Sequence, residues 1–322
     1  MKKIDNLLFN SSLFLLSFSL FIGLGITKII NTAGTDAWIS IILGTFIGMI
    51  FNILIKKLPN KDNNFTTIIA NAILLLLGIT IITKLVSSVY LDKTGNVTVM
   101  IPFLFLIFYS ALRNRYSLMK VISILNIIYV FMILFAFASL IPSTNLDNFK
   151  PIGINSPLSI ILGALEYALY STTPFIVLPE FNKKYDYKTY LLSSLFLLVV
   201  FVLIIGNLGV DLSISYRYPE YMIFKNIAIL DFIENIENIL FFIWVINIYT
   251  LTSHTTLNIK EIVGKNGLII TLLILAFIIN MFIINTYKTP IIFLNYLDYI
   301  IIGILSIYML GKFLGKKKHT LN

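Results

Sequence analysis

Cysteine is absent from the 322 residues. Disulfides, thiolate nucleophiles and cysteine metal sites are thereby excluded. Histidine occurs only at His254 and His319, too sparse for a histidine metal centre or a histidine relay, so no metal and no cofactor is expected. Charged residues make up 12% of the chain, against about 25% in soluble globular domains. Hydrophobic residues reach 58% and the mean hydropathy is +0.93. A soluble fold, a disordered chain and a collagen-like fibre do not have this composition. The sequence also lacks a phosphate-binding loop and a nucleophile beside a base. No loop is long enough to hold a catalytic domain, so an enzyme is not expected.

What is abundant is apolar sequence in long runs. About 20 apolar residues cross a bilayer as a helix. Ten such runs can be drawn: Ser11–Ile30, Asp36–Ile55, Thr66–Val86, Val97–Leu112, Leu118–Ile141, Leu158–Leu178, Thr189–Val210, Ile233–Ser253, Leu268–Ile284 and Ile291–Leu310. The first run is too long for a signal-peptide core and lacks a clear small-residue cleavage site, so it reads as a retained span. The expectation is an all-α integral membrane protein forming one domain over residues 1–322.

The net charge of +9 would suggest nucleic acid in a soluble protein, but in a membrane protein basic residues record topology. With ten spans, both termini fall on one side. That side carries Lys2, Lys3, Lys56, Lys57, Lys61, Arg113, Arg115, Lys120, Lys183, Lys184, Lys188, Lys260, Lys265, Lys312, Lys316, Lys317 and Lys318, which is 17 of the 24 Lys and Arg. Basic loops stay cytoplasmic, so both termini are expected inside, with the lipid bilayer rather than nucleic acid as the partner.

Ten spans divide into halves of about 11–141 and 158–310. The first span contains Ile22-Gly23-Leu24-Gly25-Ile26-Thr27, where two glycines weaken the helix. The sixth contains Tyr170-Ser171-Thr172-Thr173-Pro174, where the proline lacks an N–H and three hydroxyls can satisfy freed carbonyls or contact a ligand. Breaks in the first helix of each half are the mark of five-plus-five inverted-repeat transporters. Glycine and proline also occur in membrane helices for packing alone.

Ionisable residues inside spans are costly and tend to face a bundle interior or a watery cavity. Glu166, about two turns before Pro174, is a candidate for proton or ion coupling. Lys28, one turn beyond Gly25, either snorkels outward or faces the cavity. Lys84 and Asp298 lie near span ends and are given no site. Lys120, close to Arg113 and Arg115, reads as a topological charge, and His254 as a solvated cap after the eighth span. The segment Tyr221–Asn238 mixes acidic and apolar residues at helical spacing, as in a surface helix or docking segment.

Two blocks carry a resemblance. Ile22-Gly23-Leu24-Gly25 followed by Ala33-Gly34-Thr35-Asp36-Ala37-Trp38-Ile39-Ser40, and Tyr218-Pro219-Glu220 followed by Ile229-Leu230-Asp231-Phe232-Ile233-Glu234 and Phe242-Ile243-Trp244-Val245, are similar to the spore-germination permeases of the GerAB type. Asn235 stands where that family usually has Arg, and Ser171–Pro174 where it favours Gly-x-Glu. The resemblance implies the amino acid–polyamine–organocation superfamily and its LeuT-type fold. It implies the B-type membrane subunit of a nutrient-germinant receptor in the bacterial cell membrane or inner spore membrane, with A-type and lipoprotein C-type subunits as partners. A secondary, proton-coupled amino acid transporter would use the same pocket.

An amino acid ligand would find complements at a broken helix: N–H groups for its carboxylate and free carbonyls for its amine. Gly23, Gly25, Thr27, Tyr170, Ser171, Thr172 and Thr173 are therefore expected to line the pocket. The remaining apolar walls favour a small neutral amino acid.

Overall fold

The computed structural model describes residues 5–58, 61–91, 93–179, 181–225, 237–264, 267–286, 290–314 and 316–317. Lipid offers no hydrogen-bond partner to the backbone, so a chain this apolar closes its own amide ladder as helices. Helices α1 (Asn6–Phe18) and α2 (Ile26–Ala33) are separated by a break over Phe21–Gly25. A 3-10 turn at Gly34–Asp36 leads into α3 (Ala37–Lys57). Next come α4 (Asn64–Val89), α5 (Asn96–Leu112) and α6 (Arg115–Leu140). Helix α7 (Pro157–Thr172) tightens to a 3-10 helix over Thr173–Val177, and α8 (Phe181–Lys184) is a single turn. The chain continues through α9 (Tyr187–Ser215), α10 (Pro219–Lys225), α11 (Glu237–Val263), α12 (Gly267–Thr286) and α13 (Pro290–Leu314). Two-residue strands at Lys61–Asp62 and Lys316–Lys317 pair antiparallel.

Six stretches among the described residues are long and apolar enough to cross a bilayer, and Asn96–Leu112 and Ile269–Ile284 are shorter apolar helices. The first stretch, Asn6–Lys57, has 52 residues, far beyond the roughly 20 that a single pass needs. It doubles back. Asn10 donates to Asp186 (3.3 Å) and Asn52 to Tyr185 (3.3 Å), so both of its ends meet the same turn. Its middle, Asp36, lies elsewhere: the carboxylate accepts from Gly153 N (2.9 Å), Asn155 N (3.2 Å) and Asn155 Nδ2 (3.1 Å). Asp36 is fully buried and clamps the α2–α3 turn onto the loop that opens α7. Outward faces are apolar, with Phe105, Phe131 and Phe282 each at least 70% exposed, as suits lipid contact.

Inside, α3 lies along α7, and α4 along α11; α1 packs on α6, α9 and α11, and α13 on α4. Phe14, Phe18, Tyr129 and Phe196 form an aromatic knot between α1, α6 and α9, with Phe18 and Tyr129 centroids 5.4 Å apart. Helix α9 kinks at Gly209 (φ 73°). The Gly206 carbonyl then accepts from Asn145 N (2.9 Å) and Asn148 Nδ2 (2.8 Å).

Two expectations need correction. The eighth-span helix runs on to Val263, so His254 lies within α11, fully buried, rather than as a solvated cap. The hydroxyls of Thr250, Thr252 and Thr256 bond carbonyls one turn back, which lets a polar run continue as helix. The sixth-span break also falls later than drawn: α-helix persists through Thr172, and the chain becomes extended only at Leu178 (φ −100°, ψ 99°). Of the segment Tyr221–Asn238, residues 226–236 lie outside the described residues.

The hairpin path has a direct test, made simple by the absence of native cysteine. Single cysteines at Lys57 and Arg113 should react with an impermeant maleimide from one face of the membrane, and one at Asp147 from the other. Labelling of Lys57→Cys and Asp147→Cys from the same face would break the alternation.

Candidate ligand site at the broken helix

The helical ladder fails at Ile22 (ψ 124°) and Gly23 (φ 82°, ψ −13°). Gly23 is in the left-handed region, where a side chain is disfavoured. Its N–H, turned out of the ladder, donates to Glu220 Oε1 at 2.9 Å. Glu220 is only 3% exposed. It occupies the first turn of α10 directly after Pro219, a residue suited to a helix start. Gly25 has ordinary helical angles (φ −66°) and is needed for space: a Cβ there would sit 2.9 Å from both Leu20 O and Tyr170 Cδ2.

Of the expected pocket residues, the structure brings Gly25 and Tyr170 into contact, and that joint is packed. The Tyr170 ring lies on Gly25 and on Phe21, with centroids 6.1 Å apart. Thr27 is buried in α2. Ser171 Oγ shares a hydrogen bond with Tyr190 Oη (2.8 Å), while Thr172 and Thr173 donate to the carbonyls of Ala168 and Leu169 (both 2.7 Å). The hydroxyls thus use their protons within the helix and its neighbours.

Lys28 does not snorkel. Its ammonium lies 3.2 Å from Asp298 and 3.8 Å from Glu166. Tyr170 donates its hydroxyl proton to Asp298, and Thr32 donates to Glu166 Oε1 at 3.0 Å. One cation therefore ties α2 to carboxylates on α7 and α13. Asp298 has two partners; Glu166 Oε2 has none among the described residues. Asp298 was visible in the sequence as an ionisable residue within a span, but only the packing of α13 shows what it meets.

Opposite the Tyr170 joint, space remains. A cavity of about 40 Å³ lies between α1, α6, α9, α10 and α11, bounded by Phe18, Ile22, Tyr129, Glu220 and Trp244 among others. Such a space holds about three waters. Glu220 Oε2 and Trp244 Nε1 have no hydrogen-bond partner among the described residues, and both residues line this cavity. Neither was singled out as a site by residue type. Both belong to the second block of the resemblance, which was their only signal in the sequence.

A model of the spore permeases, described as spore germination protein, matches residues 65–290. The chain belongs to the spore germination protein family. No curated protein matches it. The matched stretch of this germination protein contains Glu220, Tyr170 and Trp244. The glycine break at residues 22–25 precedes it, yet is held by residues within it.

Two outcomes follow for the germination protein. Gly23→Ala should lower thermal stability by about 1–2 kcal/mol, since it forces a side chain into the left-handed region against Leu85 Cδ1 at 3.1 Å; thermal unfolding in detergent measures this. Lys28→Met and Asp298→Asn, singly and combined, should show a coupling of about 1–2 kcal/mol in the same assay. Additive effects would mean that the pair is not formed.

Proposed function

We propose that the chain is the B-type membrane subunit of a spore nutrient-germinant receptor, binding a small neutral amino acid or similar nutrient in a permease-like site at its broken first helix. In this reading it is a receptor rather than an enzyme. It works with A-type and lipoprotein C-type subunits in the inner spore membrane, with both termini cytoplasmic. The observation that carries the reading is the break itself: a glycine N–H turned out of a membrane helix, with the Tyr170 joint on one side and a cavity on the other. Membership of the germination family supplies the biological setting.

The fold proposed with it is the LeuT-type five-plus-five inverted repeat of ten passes. The helix pairings support this. Let α3 to α6 correspond to α9 and α11 to α13, and the α1–α2 pass to α7. Contacts then survive exchange of the halves: α4 on α13 answers α11 on α6, α5 on α11 answers α12 on α4, and α3 on α7 answers α9 on α1 and α2. The pairs α4–α11 and α5–α12 map onto themselves.

The pocket residues proposed are Gly23, Gly25, Thr27, Tyr170, Ser171, Thr172 and Thr173. Since Tyr170 is packed on Gly25 here, ligand entry on the α7 side requires the Tyr170 ring to leave Gly25, and with it the Tyr170–Asp298 bond. This is the motion by which nutrient binding would be felt at α13. A second reading, a proton-coupled amino acid transporter, rests on Lys28, Glu166 and Asp298, where two carboxylates share one cation.

Gly25→Val, which drives a branched side chain into Tyr170, should abolish the germination response to L-alanine while the protein still inserts and assembles. An unchanged concentration dependence in spores carrying that variant would remove the ligand from this break. Saturable L-alanine uptake by the isolated protein in liposomes, without A- and C-type subunits, would favour the transporter.

A further inference from the structure

The buried carboxylate of Glu220 does two things at once. Oε1 answers the Gly23 N–H, and Oε2 faces no protein donor among the described residues. No lysine, arginine or histidine forms an ion pair with it among those residues. To stay anionic there it needs a counter-charge, because its desolvation is not offset by one neutral donor. The cavity beside it is walled by Phe18, Tyr129 and Trp244, and aromatic faces attract organic cations. Two other residues of this wall carry polar groups without a hydrogen-bond partner among the described residues, Trp244 at Nε1 and Tyr129 at its hydroxyl, and both can donate to a carboxylate or hydroxyl at the ligand's far end. The volume, about three waters, matches a body of two or three carbons with one amine.

We infer that Glu220 is the ammonium-recognition residue of the germination protein: the cavity between α1, α6, α9 and α11 receives a small primary amine, its charge set against the Glu220 carboxylate beside the Trp244 ring. This rests on the reading that the nutrient is bound at the first-helix break, and it specifies which side of the break reads the amine. It makes the charged amine, rather than the carboxylate, the obligatory feature of the ligand. It also ties occupancy to the backbone, because a cation drawing on Oε2 alters the bond that Oε1 makes to Gly23.

The chain has only two tryptophans, Trp38 and Trp244, so Trp38→Phe leaves a single reporter in the cavity wall. Titration of the purified full-length Trp38→Phe protein in nanodiscs with ethylammonium chloride, L-alanine and sodium propionate should shift Trp244 emission saturably for the first two and not for propionate. Glu220→Gln, which preserves shape and can still accept from Gly23, should weaken ethylammonium binding at least tenfold. Ala136→Leu, which fills the α6 wall and leaves Glu220 in place, should abolish the shift, and serves if Glu220→Gln does not fold. Propionate acting as well as ethylammonium, no response to any amine, or unchanged affinity in a folded Glu220→Gln protein would each overturn the assignment. If amine binding behaves as stated but spores carrying Glu220→Gln respond normally to nutrient, the amine site stands and the receptor reading of the break fails.

Discussion

A backbone amide inside a membrane protein has to be answered by the protein itself. In this chain the rule is broken and repaired at Gly23. The left-handed glycine turns its N–H out of the α1–α2 pass, and a carboxylate 197 positions later accepts it. The repair needs Pro219 to start a short helix, α10 to lie against the bundle, and α9 to deliver the chain there. The break divides α1, which packs on α6, α9 and α11, from α2, which packs on α7 and α9. The two sides of the site differ accordingly.

A second carboxylate, Asp36, does comparable work at the other end of α2. Three donors from Gly153 and Asn155 converge on it. The short α2 is thus fixed at its start by Glu220, at its centre by Lys28 and at its end by Asp36. Each of these ties reaches a different partner: α10, the α7–α13 pair, and the loop before α7. A rigid half-helix held at three points can transmit a displacement at the break to the outer bundle. The isolated amphipathicity of α2 would not achieve this.

A third polar group holds the opposite end of the bundle. Arg115 at the start of α6 is 4% exposed, bonded bidentately to Glu261 and at 2.6 Å to Asn258 Oδ1. Asn258 Nδ2 reaches Asn71 Oδ1 (3.2 Å) and the Val177 carbonyl (2.9 Å). Val177 ends the 3-10 segment of the broken sixth span, so its freed carbonyl is answered by α11. Arg115 read in the sequence as one topological charge among many. Its fork of donors gives it this second role, which a lysine could not fill with the same geometry.

Membrane character, the helical class, the order of the apolar runs and the glycine break could all be read along the chain, because each depends on local composition or on one residue's conformational freedom. Lys28 and Glu166 could be singled out for the same reason: charge within a span is rare enough to be noticed. The facts about the site are non-local. Whether Lys28 snorkels or pairs depends on Asp298, 270 positions away in the sequence. Whether the Tyr170 ring faces open space or lies packed depends on how closely Gly25 lets α7 approach. Glu220 carries no periodic signal, and His254 looks like a cap until α11 is seen to continue past it. Hydrogen-bond partners across a helical bundle are set by packing, and packing joins residues that no window of sequence contains.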